Sequence, residues 1–275
     1  MIGVCLKWVD QRPELDALGA PTAPDARFAG VSAADQAALE WALRCRDALA
    51  PSINHDVVVI TVGPPEADAV LRDALTVGAA RAVRIDLPFG TPSRVVAASI
   101  AVQFADATLV WCGDYSIDRG TGSVPAFLAD ELNCGQALGL VDVDLQSPAG
   151  ITALRRLDGG RRERVAIEAH TVASVEGSTA MLRRAPLRAL LGAHHIEVIA
   201  GPTPGLTETP PVLTRPYRPR PRMLAAPVGA TALDRVHSIT ATDAHVSHGE
   251  TVVLEPAAAA ERIIATLRDW GYPTQ

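Results

Sequence analysis

Residues 56–67 read Asp56-Val-Val-Val-Ile-Thr-Val62-Gly-Pro-Pro-Glu-Ala67, and this stretch decides the fold class. From Val57 to Val62 every residue is β-branched, and only Thr61 is polar. A run without polar alternation predicts a strand covered on both faces, as in a parallel sheet. Gly63-Pro64-Pro65 then turns the chain and favours a helix start. The helix is predicted over 66–77, with Gly78 closing it in the left-handed conformation. The same pattern extends outward in both directions. Residues 2–6 (IGVCL) predict an earlier buried strand and residues 10–31 a long loop. Ser32-Ala-Ala-Asp35 then fits a capping box. The helix it opens runs to about Ala48, with Ala38, Trp41, Ala42, Cys45 and Leu49 on its core face. Downstream, strands at 82–87 and 108–112 alternate with helices at 93–104 and 123–132. Strand and helix in regular succession give an α/β fold, a mostly parallel, doubly wound sheet with helices on both faces.

Beyond residue 138 the texture changes. Residues 141–145 alternate apolar and polar side chains. Residues 151–156 and 164–169 flank Asp158-Gly159-Gly160, a strong hairpin signal. With one more short strand at 172–175 they form an antiparallel addition to the sheet. A helical turn is expected at 187–191 and a last strand of this part at 196–199. Residues 201–222 hold seven prolines and two glycines, which predicts an extended connector. Weak strands follow at 236–239 and 251–254, then a helix at 256–270 with Ala260, Ile263, Ile264, Leu267 and Trp270 on one face. The expected division is an α/β body over 1–200 and, over 201–275, an arm ending in a helix that packs on a partner.

Composition narrows the function. The 275 residues are 48% hydrophobic and 20% charged, which excludes a disordered chain. The formal charge of −6 argues against nucleic acid or an anionic membrane as partner. Cys5, Cys45, Cys112 and Cys134 form no CxxC pair, so the expectation is reduced thiols in a cytoplasmic protein. The N-terminus lacks the basic region of a signal peptide. No stretch of about 18 apolar residues predicts a membrane span. Lys7 is the only lysine among 25 basic residues.

In an open parallel sheet, ligands sit outside the carboxyl ends of the strands. Three loops there stand out: the one after Leu6, with Lys7 and Trp8; Val62-Gly63-Pro64; and Gly113-Asp-Tyr-Ser-Ile-Asp-Arg-Gly-Thr-Gly-Ser-Val124. The third feeds a helix. Its glycines let backbone amides converge on an anion, the helix N-terminus adds free N–H groups, and Thr121 and Ser123 add hydroxyls. Asp118 is suited to orient the loop. No Walker A loop, GxGxxG fingerprint or GxSxG elbow is present, and no catalytic set assembles. His194-His195 would point to opposite faces of a strand and read as surface histidines, and His237, His245 and His248 lack carboxylates at metal spacing. Arg155, Arg156, Arg161 and Arg162 around the hairpin predict a solvated face. A binding or carrier protein is favoured over a hydrolase.

Taken in order, these segments resemble the beta subunit of electron transfer flavoprotein, the FixA-like family. VCLKWVD (4–10) resembles the family's VCVKQVPD strand, and SAADQAALEWALR (32–44) its NPFDEYALEEALR helix. VVVITVGPPEADAVLRDALTVGAARAVRI (57–85) is similar to VTVVSVGPPEAEEALREALAMGADRAILV. YSIDRGTGSVPAFLADEL (115–132) resembles QAIDGDTGQVGPMLAELL. LRRLDGGRRERVAI (154–167) resembles the REIDGG hairpin, APLRALLGAHH (185–195) resembles PSLPGIMKAKK, and AAERIIATLRDWGY (259–272) the final helix. The likeness covers nearly the whole chain. It implies an adenine nucleotide alpha-hydrolase-like fold of the electron transfer flavoprotein type. It further implies a heterodimer whose alpha subunit holds most of the redox FAD, while this chain binds AMP structurally.

By that resemblance the nucleotide site falls on Cys5, Ser32, Ala33, Ala34, Asp35 and Val62, and on Gly113, Asp114, Tyr115, Ser116, Ile117, Asp118, Arg119, Gly120, Thr121, Gly122, Ser123 and Val124. The sequence departs from the family there. Ser32-Ala33-Ala34 replaces NPF, Arg119-Gly120 replaces Gly-Asp, Ser123 stands for Gln, Pro125 for Gly and Trp8 for a smaller residue. The exchange at 119–120 makes the site more positive and favours a phosphate. AMP, a second FAD and an empty pocket stay open. The family's recognition loop for dehydrogenases aligns with 176–185, where LNEPRY is absent. Its anchoring Leu falls on Thr179, with Met181 or Leu182 expected to take over. These departures suggest a divergent actinobacterial, mycofactocin-associated branch. The implied partners are the alpha subunit, a donor dehydrogenase, and a quinone reductase or other acceptor. The rival reading is a stand-alone adenine-nucleotide module similar to universal stress proteins.

Overall fold

The apolar run at 57–62 lies in a strand, Val57–Gly63, with parallel neighbours on both sides. The computed structural model describes residues 1–12, 14, 16, 25, 27–48, 55–147, 150–192, 194–202, 226–240 and 252–270. They fall into two compact units, Met1–Tyr217 and Arg218–Gln275. In chain order the first unit holds β1 (Ile2–Cys5), β2 (Trp8–Asp10), β3 (Ala29–Val31), α1 (Ala33–Ala48), β4 (Val57–Gly63), α2 (Asp68–Val77), β5 (Arg81–Asp86) and α3 (Ser93–Gln103). It continues with β6 (Leu109–Gly113), α4 (Ser123–Glu131), β7 (Gly135–Asp144), β8 (Ile151–Arg156), β9 (Arg162–Ile167), β10 (Thr171–Val175), α5 (Leu187–Leu190) and β11 (Glu197–Ala200). The second unit holds α6 (Ala232–Thr240) and α7 (Pro256–Asp269).

Nine strands form one sheet in the order β11-β5-β4-β1-β6-β10-β7-β8-β9. It is parallel from β11 to β7, and β8 and β9 are antiparallel. The expected mostly parallel α/β sheet is therefore present. Period-two alternation along the strands builds two cores. Val4, Val57, Val59, Leu109 and Trp111 face α1 and α2. Val58, Ile60, Val110 and Cys112 face α3 and α4. Gly3 lacks a side chain for a packing reason: a Cβ there would lie 2.7 Å from the Phe104 ring.

Local signals act as the residues dictate. The Asp35 N–H donates to Ser32 Oγ at 3.0 Å, capping α1. A 3₁₀ turn at Pro65–Ala67 leads into α2, and Gly78 ends α2 at φ 119°. Gly159 and Gly160 take φ of 70° and 75° in the β8–β9 turn. Around that turn the arginines are not merely solvated: Arg155 pairs with Glu163 and Arg156 with Glu176.

Several expectations are corrected. The 172–175 strand is not part of an antiparallel addition. It is β10, threaded between β6 and β7 and parallel to both. Residues 10–31 are not all loop, because β3 pairs antiparallel with β2 in a small second sheet. Residues 236–239 are not a strand but part of α6. Thr231 and Asp234 cap that helix reciprocally, each N–H donating to the other's side chain at 3.0 and 3.2 Å. Residues 252–254 carry no regular structure. Leu49, Thr251, His245, His248 and most of the 201–222 connector lie outside the described residues. In α7, Ile263, Ile264 and Leu267 are exposed, and so is Trp270 at its C-cap. No helix among the described residues is long and apolar enough to cross a membrane.

Candidate functional site

From β1 the chain first winds one way, through α1 to β4 and β5. It then crosses back through α3 to place β6 on the other side of β1. A cleft opens at the carboxyl ends of β1 and β6, where the strand order reverses, the place an open α/β sheet offers to ligands. Its cavity volume is about 120 Å³, on the order of ten times what a single water requires.

Two glycines shape the cleft. A Cβ on Gly113 would stand 2.3 Å from Asp35 Oδ1, so the end of β6 is pressed against the first turn of α1. A Cβ on Gly122 would stand 1.8 Å from the Asp114 carbonyl oxygen. Gly122 is also the N-cap of α4, with no side-chain cap. Pro125 has no N–H, so the amides of Ser123 and Val124 are the free donors of that first turn. Their partial positive charge favours an anion.

The loop from 114 to 122 is tied down by charge. Lys7 Nζ donates to both oxygens of Asp118 at 2.5 and 2.8 Å and to Ser116 Oγ at 2.8 Å. Burial pushes the Asp118 carboxyl up, but Lys7 and Ser116 outweigh it and hold the group below the usual carboxylate range. Arg119 donates to the Thr91 carbonyl at 3.1 Å and has no carboxylate partner among the described residues. Asp35 is buried beside them. Burial raises its pKa to about 7, although the backbone N–H groups of Lys7 and Gly113 and the Ser32 hydroxyl pull it down. The opposite wall is apolar, with Val62, Pro64, Val96 and Ile100. Trp8 and Phe89 meet edge-on there, 5.9 Å between centroids.

The structure gathers most of the expected residues around this cleft. Cys5, Ser32, Asp35, Val62, Gly113, Tyr115, Ser116, Ile117, Asp118, Arg119, Thr121, Gly122, Ser123 and Val124 line it. Ala33, Ala34, Asp114 and Gly120 do not line it. Ala34 packs behind Gly113, 3.0 Å from its notional Cβ. The Asp114 N–H donates to Val175 O at 3.1 Å, and the Gly120 N–H to Ser116 O at 2.8 Å. The sequence reading missed the wall from Pro88 to Ser93. Its position after β5, at the same edge of the sheet, was the available signal. No group of three or more metal-ligating side chains occurs among the described residues.

The segment after β10 runs along α1. Trp41 Nε1 donates to Thr179 Oγ1 at 3.1 Å. Arg183 Nε donates to Glu40 at 3.0 Å and Nη1 to Asp47 at 2.8 Å. Burial works against ionisation of Glu40, but Arg183 and Arg44 outweigh it and keep its pKa low. Leu182 packs on the core. Met181 is 87% exposed.

The family model for the electron transfer flavoprotein domain matches residues 26–195. The chain belongs to the electron transfer flavoprotein family. Protein FixA of Sinorhizobium fredii is 32% identical over 212 residues, 68% of this chain and 72% of that protein. The electron transfer flavoprotein beta subunit of Thermoanaerobacterium thermosaccharolyticum is 31% identical over 129 residues, 46% of this chain and 48% of its own length. That of Methylophilus methylotrophus is 29% identical over 161 residues, 57% and 60% respectively. Within the family the chain is therefore of the beta-subunit, FixA-like type.

Proposed function

We propose that this chain is the beta subunit of a heterodimeric electron transfer flavoprotein, a carrier rather than a catalyst, with an AMP in the cleft between β1 and β6. The observation that carries this reading is the cleft itself. The free amides of Ser123 and Val124, with Arg119 nearby, suit a phosphate. The apolar wall of Trp8, Phe89, Val62 and Pro64 suits a planar base. Gly113 and Gly122 let the loop pack against Asp35 and the Asp114 backbone, which holds the cleft in this shape. Held there, the nucleotide would brace the loops at the strand ends against α1 and α4.

FAD, held mainly by the alpha subunit, supplies the redox chemistry. The residues of this chain position that subunit and a donor dehydrogenase. Met181 is the side chain for donor docking, since Thr179 and Leu182 are engaged with α1 and the core. Electrons pass from the donor to a quinone reductase or another acceptor, in the cytoplasm.

The test is co-expression with the alpha subunit of the same genome and purification through a tag on this chain. A yellow heterodimer releasing one FAD and one AMP supports the reading. Two FAD per dimer would replace AMP in the cleft. A colourless monomer that binds ATP overturns the proposal in favour of a stand-alone nucleotide-binding module.

A further inference from the structure

The floor of the cleft carries two thiols. β1 and β6 are parallel neighbours whose register sets Val4 against Trp111. One step on, Cys5 and Cys112 stand side by side. Adjacent strands lie about 4.8 Å apart, and residues in register point to one face. Both side chains belong to the α3 and α4 side, where Cys112 is core and Cys5 packs against it. A disulfide asks for Cα atoms about 4.4–6.8 Å apart, which this spacing meets.

Both cysteines are free thiols that line the cleft; Cys5 is half-buried and Cys112 buried. Contact with Cys5, then burial and the Asp35 carboxylate, push the Cys112 thiol well above its ordinary range. The roles follow: Cys5 is the sulfur a reagent reaches, and Cys112 stands behind it. Cys45 belongs to the core on the other face of the sheet. Cys134 lies beyond α4, just before β7.

We propose that Cys5 and Cys112 form a dithiol modification site, which a small disulfide entering the cleft closes into an intramolecular bond. The Cys5 thiolate attacks one sulfur of the reagent, giving a mixed disulfide and releasing one thiolate, which takes up a proton. Cys112 attacks the Cys5 sulfur and expels the second reagent thiolate, which takes up the proton that Cys112 gives up. Two protein thiols are oxidised and one reagent disulfide is reduced to two thiols, so electrons and protons balance. The bond links the two strand ends on either side of the point where strand order reverses. It also removes the thiol wall from the cleft.

The test treats the reduced full-length chain with cystamine and maps tryptic peptides without reduction. The expected result is one linked pair, 1–7 with 95–119, and the loss of two of the four thiols. Cys45 and Cys134 still titrate after denaturation. In Cys112→Ser, Cys5 stops at the mixed disulfide with cysteamine. The wild-type map needs no variant to fold. A persistent mixed disulfide at Cys5 in the wild type overturns the proposal. So do Cys5 and Cys112 that both stay unreacted, or a bond to Cys45 or Cys134.

Discussion

The segments that leave β6 and β10 start alike and end differently. Each begins with a glycine pressed on the first turn of α1. A Cβ on Gly113 would lie 2.3 Å from Asp35 Oδ1, and one on Gly177 would lie 2.9 Å from the Ala33 and Ala34 backbone. From there the first loop bends over the cleft and is held by Lys7, Ser116 and Asp118. The second runs down α1, held by Trp41, Glu40 and Asp47, and presents Met181 outward. One helix start thus supports a loop that encloses and a loop that displays. What separates them is where their polar ties lie, around a cavity or along a helix flank.

The largest expected effect breaks the shared half of the comparison. Gly113→Val and Gly177→Val should each destabilise the chain by about 1–3 kcal/mol through overpacking, as read by chemical denaturation. Only Gly113→Val should also abolish nucleotide retention. Equal retention in both would mean that the two loops are not functionally distinct.

A second effect comes from Asp35. With its pKa raised to about 7, the folded chain holds a proton between about pH 4 and pH 7 that the unfolded chain has released. Stability therefore falls as pH rises through that window and levels off above it. In Asp35→Asn this slope should flatten. An unchanged slope would place the titration elsewhere.

The smallest effect on stability is expected at Met181. Met181→Ser should shift stability by no more than about 0.5 kcal/mol. It should slow electron transfer from the donor dehydrogenase about tenfold, as expected for an anchoring side chain. Normal transfer would move the display function to another residue.

Much of this was legible in the sequence because hydrophobic period reports burial locally. The apolar runs gave the central strands, Ser32 and Gly78 marked helix ends, and the strand-end rule placed the cleft loops. Strand order is a different matter. Thr171–Val175 is buried throughout, and a short apolar run says nothing about which neighbours flank it or in which direction. α6 was missed although Val236 and Ile239 stand at helical spacing, and the cap was visible in Thr231 and Asp234. Within the site, the Lys7–Asp118 tie joins residues 111 apart in sequence. Neither loop carries a local mark of the other. The Pro88–Ser93 wall lacks the glycine pattern that drew attention to residues 113–124.

The placement of β10 has a consequence for how the chain is made. As residues emerge in order during synthesis, β1, β4, β5 and β6 can assemble early. The gap beside β6 stays open until residue 175 has been translated. Until then the inner edge of β6 has unpaired amides and carbonyls, the surface that invites wrong pairings. The β7–β9 portion must be set aside while its neighbour is still missing. A nascent chain halted before β10 would thus be the form most in need of a chaperone.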